Sequence, residues 1–337
     1  MHRYSYSQIQ TYAACCLKYK YRYVDQLTPL VGEDNHDLRY GRAVDAALNV
    51  YYGGERSVLE AQEAFGDTYP EREYPAILPH WSQGKTFSNG LAGIAAYAEH
   101  WKEDDQYWEV IAVQSGEITE DIESDRLVRI DLVVKDTRDG MVYGVDHKGT
   151  GKYLDKDFWA QFEPHSQIRQ YVDRLQQKHG QIGGFYINAL GFKHRSKAYT
   201  PRQGPDKGIQ LPAGDWYAFG RRCYNPNSEA VKFEQDSFAG WVRKIENDRK
   251  SGQWSYNTDH CIRGPFICEY HQICSAGYQW PRDADLITNY YRQRCIRLVS
   301  GERCQLEKDH EGEHDSTRPQ VREPEVDLGE EIEEAEA

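Results

Sequence analysis

Asp131, Asp146 and Lys148 are the side chains whose types and spacing most directly suggest chemistry. Asp146 and Lys148 are separated by one residue in a run of strand-forming residues, Met141 to Lys148, so in an extended chain both leave the same face. Asp131 lies in the preceding run, Leu127 to Val134. The two runs flank Asp136-Thr137-Arg138-Asp139-Gly140, whose Asp-Gly end favours a hairpin turn. Folded on that turn, two carboxylates converge beside an ammonium, a set that can hold a divalent cation and activate a water bound to it. A surface hairpin with solvated charges is the alternative that these residues leave open.

The thiols form a second constellation. Cys261, Cys268 and Cys274 stand as C-x6-C-x5-C, and Cys15 or Cys16 near the start of the chain could supply a fourth ligand. His260 and His271 are substitutes from the same neighbourhood. Four thiolates suit an iron–sulfur cluster or a structural zinc, and the spacing matches neither common ferredoxin pattern, so the metal stays open at this point. Further on, Cys295, Cys304, His310 and His314 give C-x8-C-x5-H-x3-H, read as a small Zn²⁺ knuckle; six residues from Cys304 to His310 are too few for the recognition helix of a zinc finger.

Positioning these groups falls to helices and strands in mixed order. A capping box, Ser7-Gln8-Ile9-Gln10, is expected to open a helix running on through Tyr12, Cys16, Tyr19 and Tyr23. A second helix is expected over Tyr40 to Tyr52, stopped by Gly53-Gly54, with Asp45 in its middle, where aspartate needs solvent or a partner. Helices over Ser57 to Phe65 and Thr86 to Trp101 precede a strand, Tyr107 to Glu117, which completes a three-stranded meander with the hairpin. After a loop at Gly149 to Asp155, where Lys152 could approach a phosphate, come a helix over Phe158 to Gln177, strands at Ile182 to Gly191 and Trp216 to Cys223, and a helix over Ser228 to Lys250. Gln167 and Tyr171, four apart, share one helical face. The pattern predicts an α/β fold with a mixed sheet.

The net charge of −13 is concentrated at the end of the chain, since eight carboxylates and no basic residue follow Arg322. The rest is only mildly acidic, so contact with nucleic acid would need a local basic groove. The interleaving of Lys18, Lys20 and Arg22 with Tyr19, Tyr21 and Tyr23 could stack on bases and meet phosphates, although tyrosines at such spacing more often serve packing than recognition. From Ser316 the Pro- and Glu-rich composition predicts disorder. No leader or membrane-length apolar run is evident, so a cytoplasmic protein is expected, and eight cysteines then favour ligation over disulfides.

Taken together, these residues resemble the RecB-like branch of the PD-(D/E)XK nuclease superfamily. The likeness is strongest to its four-cysteine iron–sulfur members, such as the AddB nuclease domain, the CRISPR-adaptation nucleases and phage exonucleases. The resemblance runs from about Ser5 to Cys274. Ser5, Ser7, Tyr12, Cys15, Lys18 and Tyr19 fit the opening S-x-S-x-x-x-x-Y-x-x-C-P-x-K-Y motif, with Cys16 where proline is usual, which favours Cys15 as the ligand. Asp131 matches the acidic residue before the hairpin turn, Asp146 and Lys148 the D-x-K, and Gln167 and Tyr171 a Q-x-x-x-Y motif. One departure stands out: Gly41-Arg42-Ala43-Val44-Asp45 presents Asp45 where the family has a metal-binding histidine.

The resemblance implies a restriction-endonuclease-like core over residues 1–290, with a knuckle over 291–316 and an acidic tail over 317–337. It implies hydrolysis of DNA phosphodiester bonds by an exonuclease of recombination, repair or phage DNA processing, acting on single-stranded DNA or a duplex end in the cytoplasm (the host's, if phage-encoded). Mg²⁺ or Mn²⁺ would be held by Asp131, Asp146, the backbone carbonyl of His147 and Asp45. Lys148 would serve the attacking water, Gln167 and Tyr171 would position DNA, and Cys15, Cys261, Cys268 and Cys274 would hold a [4Fe–4S] cluster, with zinc as the alternative. The acidic tail could dock a protein partner; no membrane is involved. A silent DNA-binding subunit that keeps the fold is the rival expectation. A redox iron–sulfur protein ranks last, because it leaves Asp-x-Lys without a role.

Overall fold

In the computed structural model, the described residues are 2–29, 36–70, 83–120, 125–198, 200, 209–210, 212–263, 266–277, 282–287, 291–293, 298–299 and 302–303. The expected zinc ligands Cys295, Cys304, His310 and His314 lie outside them, as do the whole tail over 317–337 and most of 291–316. The chain divides into two compact units, residues 1–13 with 33–253 and residues 14–32 with 254–337.

The first unit is a mixed α/β layer structure. Its elements are β1 (Arg3–Ser5), α1 (Tyr6–Ala14), α2 (His36–Gly53), α3 (Val58–Thr68), α4 (Phe87–Asp105), β2 (Trp108–Glu120), β3 (Asp125–Asp136), β4 (Val142–Thr150), α5 (Lys156–Ala160), α6 (Ser166–His179), β5 (Gly184–Arg195), β6 (Gly214–Tyr224) and α7 (Ser228–Ser251). The sheet runs β2-β3-β4-β5-β6, with β4 and β5 parallel and the other neighbours in that order antiparallel. The parallel step needs a crossover, which α5 and α6 provide. β1 lies parallel to the first residues of β3, pairing Arg3 to Ser5 with Asp125 to Leu127, while β4 joins β3 only from Leu132 onward. Since β2 takes the opposite edge of β3 along its length, β1 and β4 share one edge.

Helices cover both faces. Tyr40, Val44, Leu48 and Tyr52 of α2 pack with α3 and α4 against Leu132, Val134, Val145 and Phe192. On the other face Ile168, Val172 and Leu175 of α6 pack against Val133, Phe185 and Ile187. The period-2 strands and the i, i+4 spacing on α2 and α6 therefore sort into one sheet between two helical layers.

The hairpin forms as the sequence predicts. Gly140 adopts φ +74 and donates its N–H to the Asp136 carbonyl at 2.7 Å, and Asp139 accepts from Met141 N–H at 2.8 Å. Three expectations need correction. The capping box is Ser5/Gln8, two residues earlier: Ser5 N–H donates to Gln8 Oε1 at 3.0 Å and Gln8 N–H to Ser5 Oγ at 3.3 Å. The first helix does not continue to Tyr23, because Cys15 is extended, at φ −163 and ψ 117, and separates it from a helix at Cys16–Tyr19. The helix expected over Phe158 to Gln177 is two, parted at Gln161 to His165, where Pro164 disfavours helical backbone in its predecessor.

The second unit joins an early segment to a late one. Strand Leu27–Pro29 pairs antiparallel with Tyr291–Gln293, and Tyr21, Leu27, Tyr270, Ile273, Ile287 and Tyr291 make a small core bordered by Cys268 and Cys274. Among the described residues no helix is long and apolar enough to cross a membrane.

α6 reaches the sheet at Gly144 of β4. A Cβ there would stand 2.5 Å from the Phe185 ring and 2.7 Å from Leu175 Cδ1. Gly144→Ala is expected to lower the unfolding free energy by about 1–3 kcal/mol through overpacking, measured by urea denaturation. An unchanged midpoint would show that α6 does not depend on this close approach.

Candidate active site

The site forms where two strands part. The β3–β4 ladder ends at Leu132 opposite Val145, and beyond it the carboxylate of Asp131 accepts the N–H of His147 at 2.8 Å through Oδ2. A side chain thus satisfies a donor that a longer ladder would have used. Asp146, next along β4, is 3% exposed. Lys148 Nζ lies 2.6 Å from Asp146 Oδ2, a close charge-assisted ion pair.

Asp45 arrives from the middle of α2. Its Oδ2 accepts from Gln114 Nε2 at 3.3 Å, and the Asn49 side chain favours its charged form. Burial, and then the charge of Asp146, hold Asp45 above the usual carboxylate range against the pull of Lys148 and Arg129. Asp131 is raised well above that range by burial, then by Asp146 and Asp45, with the His147 N–H opposing. At Lys148 burial opposes the charged form, but Asp146, Asp131 and Asp45 outweigh it and raise the ammonium's pKa. Three carboxylates thus share a desolvated space with one cation, leaving a local excess of negative charge.

Gln167 and Tyr171 come from the first two turns of α6, and Gln167 Nε2 donates to the Tyr171 hydroxyl at 2.6 Å. Burial raises the phenol's pKa, and Asp146 and Asp131 raise it further, so Tyr171 keeps a proton to donate. The expected residues Asp45, Asp131, Asp146, Lys148, Gln167 and Tyr171 are all brought within electrostatic reach of one another. Sequence reasoning missed two others. The Tyr6 hydroxyl lies 3.3 Å from His165 Nε2, with the rings 5.1 Å apart. Burial lowers the pKa of His165, Lys148 lowers it further and Asp146 opposes. The only signal in the sequence is position: Tyr6 lies inside the opening motif and His165 two residues before Gln167.

On the reverse side of β4 the His147 ring stacks on Tyr52, 5.8 Å away at 8°, and its Nδ1 lies 2.8 Å from Asn188 Nδ2. Burial, then Arg221 and Lys148, push its pKa down to about 3, so the imidazole is neutral and Nδ1 accepts from the Asn188 amide. Asn188 also donates to Tyr97 and accepts from Arg221 Nε at 3.2 Å. Arg221 pairs with Asp105 at 2.6 Å, donates to Tyr52 and Tyr97, and lies about equally far from the rings of Trp101 (4.0 Å) and Trp108 (4.1 Å). This buried polar network supports the residue that lies between Asp146 and Lys148.

The acidic donor set suits a hard cation: the carboxylate oxygens of Asp45, Asp131 and Asp146 beside a strand backbone. Among the described residues, however, no group of three or more His, Cys, Asp or Glu is closed into a metal-holding arrangement. The same is true of the thiols in the second unit, although they are neighbours. Burial, then the charges of Cys268, Cys15 and Cys261, push Cys274 up to about 12. Cys15 Sγ accepts from Asn257 N–H at 3.4 Å, and Cys261 donates to the Asn257 carbonyl.

Two outcomes follow from this electrostatic balance. Because the folded pKa of Asp131 is raised, its proton is held where the unfolded chain has lost it, so its contribution to stability falls as pH rises from the ordinary carboxylate range through the raised value. Asp131→Asn is therefore expected to stabilise the metal-free protein at pH 7, with the gain vanishing below about pH 4. The depressed His147 acts in the opposite sense but cancels in the difference between variant and parent. Urea titrations at the two pH values check this, and equal stability at pH 7 would contradict the repulsion. Asp105→Ala, which strands Arg221, is expected to cost about 3–5 kcal/mol, much of it recovered when Arg221→Met is added; the same titrations measure both.

Comparison with known proteins bears on this geometry. Among curated proteins none matches the chain significantly. The crystal structure of "Putative exonuclease" from Eubacterium rectale is similar, with a TM-score of 0.46 and 14% sequence identity, covering 82% of this chain and 88% of that one. The family profile of the PD-(D/E)XK nuclease superfamily matches residues 3–275, which include every side chain of the site described above. With that match spanning most of its length, the chain belongs to the PD-(D/E)XK nuclease superfamily.

Proposed function

We propose that this nuclease is a divalent-metal-dependent deoxyribonuclease that degrades DNA from an end, in recombination, repair or phage DNA processing. The observation that carries the metal dependence is the set of three desolvated carboxylates, Asp45, Asp131 and Asp146, that influence one another's charge beside Lys148. Mg²⁺ or Mn²⁺ would be held by Asp131, Asp146, the His147 carbonyl and Asp45, and when bound it lowers the pKa of water and polarises the phosphate. Asp45 in place of the family's histidine keeps the donor set all-oxygen, which suits these ions.

The side chains divide the remaining work. Lys148, held as an ammonium beside Asp146, offsets charge developing on the phosphate and orients the attacking water. Tyr171, its hydroxyl fixed by Gln167, donates a hydrogen bond from the face of α6 and places the DNA backbone. His147 contributes through its backbone, its ring being turned into the network with Asn188 and Tyr52. In the second unit, Cys15, Cys261, Cys268 and Cys274 would hold a [4Fe–4S] cluster, a reading supported by the mutual influence of their thiols.

One feature favours a second reading, a DNA-binding subunit that keeps the fold without cleavage: Asp45 at the histidine position. End-labelled single- and double-stranded DNA incubated with Mg²⁺, Mn²⁺ or EDTA separates the two. The nuclease reading expects metal-dependent release of short products, reduced about 10²-fold or more in Asp146→Asn and Lys148→Ala. DNA binding without cleavage in either metal would establish the second reading instead.

A further inference from the structure

A group of rings and cations, with one ring largely exposed, lies beyond the catalytic residues, at the far end of β5. The loop that leaves β4 presents Tyr153, 64% exposed. Lys193 of β5 is buried by contrast; its ammonium donates to the Gly151 carbonyl and lies 3.9 Å from the Tyr153 ring centre. Trp216 of β6, the registered partner of Lys193, stands 6.0 Å from Tyr153, and Arg195 places its guanidinium 4.4 Å from the indole centre. Tyr153 therefore has one face set over a fixed cation while most of its surface meets solvent.

The core does not require this arrangement. A tyrosine exposed to that degree contributes little burial, and Lys193 gives up hydration to sit against its ring. The charge around it is mixed: Lys193 and Arg195 lie against the two rings, Asp155 acts on Lys193, and Asp215 lies 2.8 Å from His194. An aromatic face set among cations is what a nucleic acid strand meets when its bases are unpaired: the ring takes a base and the cations take the phosphates on either side. A duplex hides its base faces and cannot use such a ring.

The distance from the site is also right. Lys148 pairs in register with Ala189, and Lys193 is four residues further along β5, about 13 Å at ~3.3 Å per residue. That is about four nucleotides of a stacked strand.

We propose that Tyr153, backed by Lys193 and flanked by Trp216 and Arg195, is a stacking platform for an unpaired base of the DNA strand about four nucleotides from the scissile phosphate. Single-stranded DNA, or the frayed end of a duplex, is then the substrate form the site selects. This rests on the nuclease acting on DNA, and its test is chosen to separate the two ideas.

Binding is measured on the full chain in EDTA, where no metal-dependent cleavage intervenes, by anisotropy of a fluorescein-labelled 20-mer single strand. The comparison strands are a blunt duplex and a strand of the same charge whose bases are replaced by abasic tetrahydrofuran units. The expected result is about 10-fold tighter binding of the base-bearing strand than of the abasic one, lost in Tyr153→Ala, reduced in Trp216→Ala and kept in Tyr153→Phe. Equal binding of the abasic and base-bearing strands, or a Tyr153→Ala protein that binds like the parent, overturns the platform even if metal-dependent cleavage is observed. A base-dependent affinity that vanishes in Tyr153→Ala upholds the platform even if no cleavage is found, in which case the nuclease reading fails alone.

Discussion

Asp131 accepting the N–H of His147 is the contact on which the site depends. It sits where the β3–β4 ladder stops, and a carboxylate there does two jobs: it caps a strand that has lost its partner, and it brings negative charge to within reach of Asp146. Were the ladder to continue, a backbone carbonyl would satisfy His147 and the strands would not open. The parting of two strands leaves the Asp131 carboxylate, rather than a backbone carbonyl, beside Asp146.

A cluster of like charges in a desolvated space is unstable by itself, and the surrounding layers are built to hold it. Lys148 neutralises part of it from the same strand. On the opposite face of the sheet, Arg221 and Asp105 form a pair exposed by 5% and 1%, tied through Asn188 and Tyr52 to His147. A buried ion pair adds little stability over an apolar equivalent, so its value here lies in geometry. It fixes the plane of the His147 imidazole and with it the backbone between Asp146 and Lys148. Stability is conceded at the carboxylates and recovered in the aromatic and apolar packing of α2, α3 and α4.

Local rules made much of this visible in the sequence. The Asp-Gly turn and period-2 runs place Asp131, Asp146 and Lys148 on one hairpin, and the four-residue spacing of Gln167 and Tyr171 puts them on one helical face. Local rules also explain the errors. The motif S-x-x-Q occurs twice in Ser5 to Gln10, and only tertiary pairing of β1 selects Ser5 as the cap. The extended backbone at Cys15 reflects partners more than 240 residues away, which no helical periodicity can register. The network of Tyr52, Tyr97, Asp105, Asn188 and Arg221 draws on four separate elements, and each member alone resembles an ordinary polar residue. The Tyr6 and His165 pair was invisible for the same reason.

The central claim is that Asp131, Asp146 and the His147 carbonyl, with Asp45, hold a divalent cation. Crystals of the wild-type protein grown with Mn²⁺ and measured for anomalous scattering at the manganese edge test it most directly. A manganese peak is expected within coordination distance of Asp131, Asp146 and the His147 carbonyl oxygen. Full occupancy elsewhere, or a site left without manganese while Lys148 keeps its ion pair with Asp146, would contradict it.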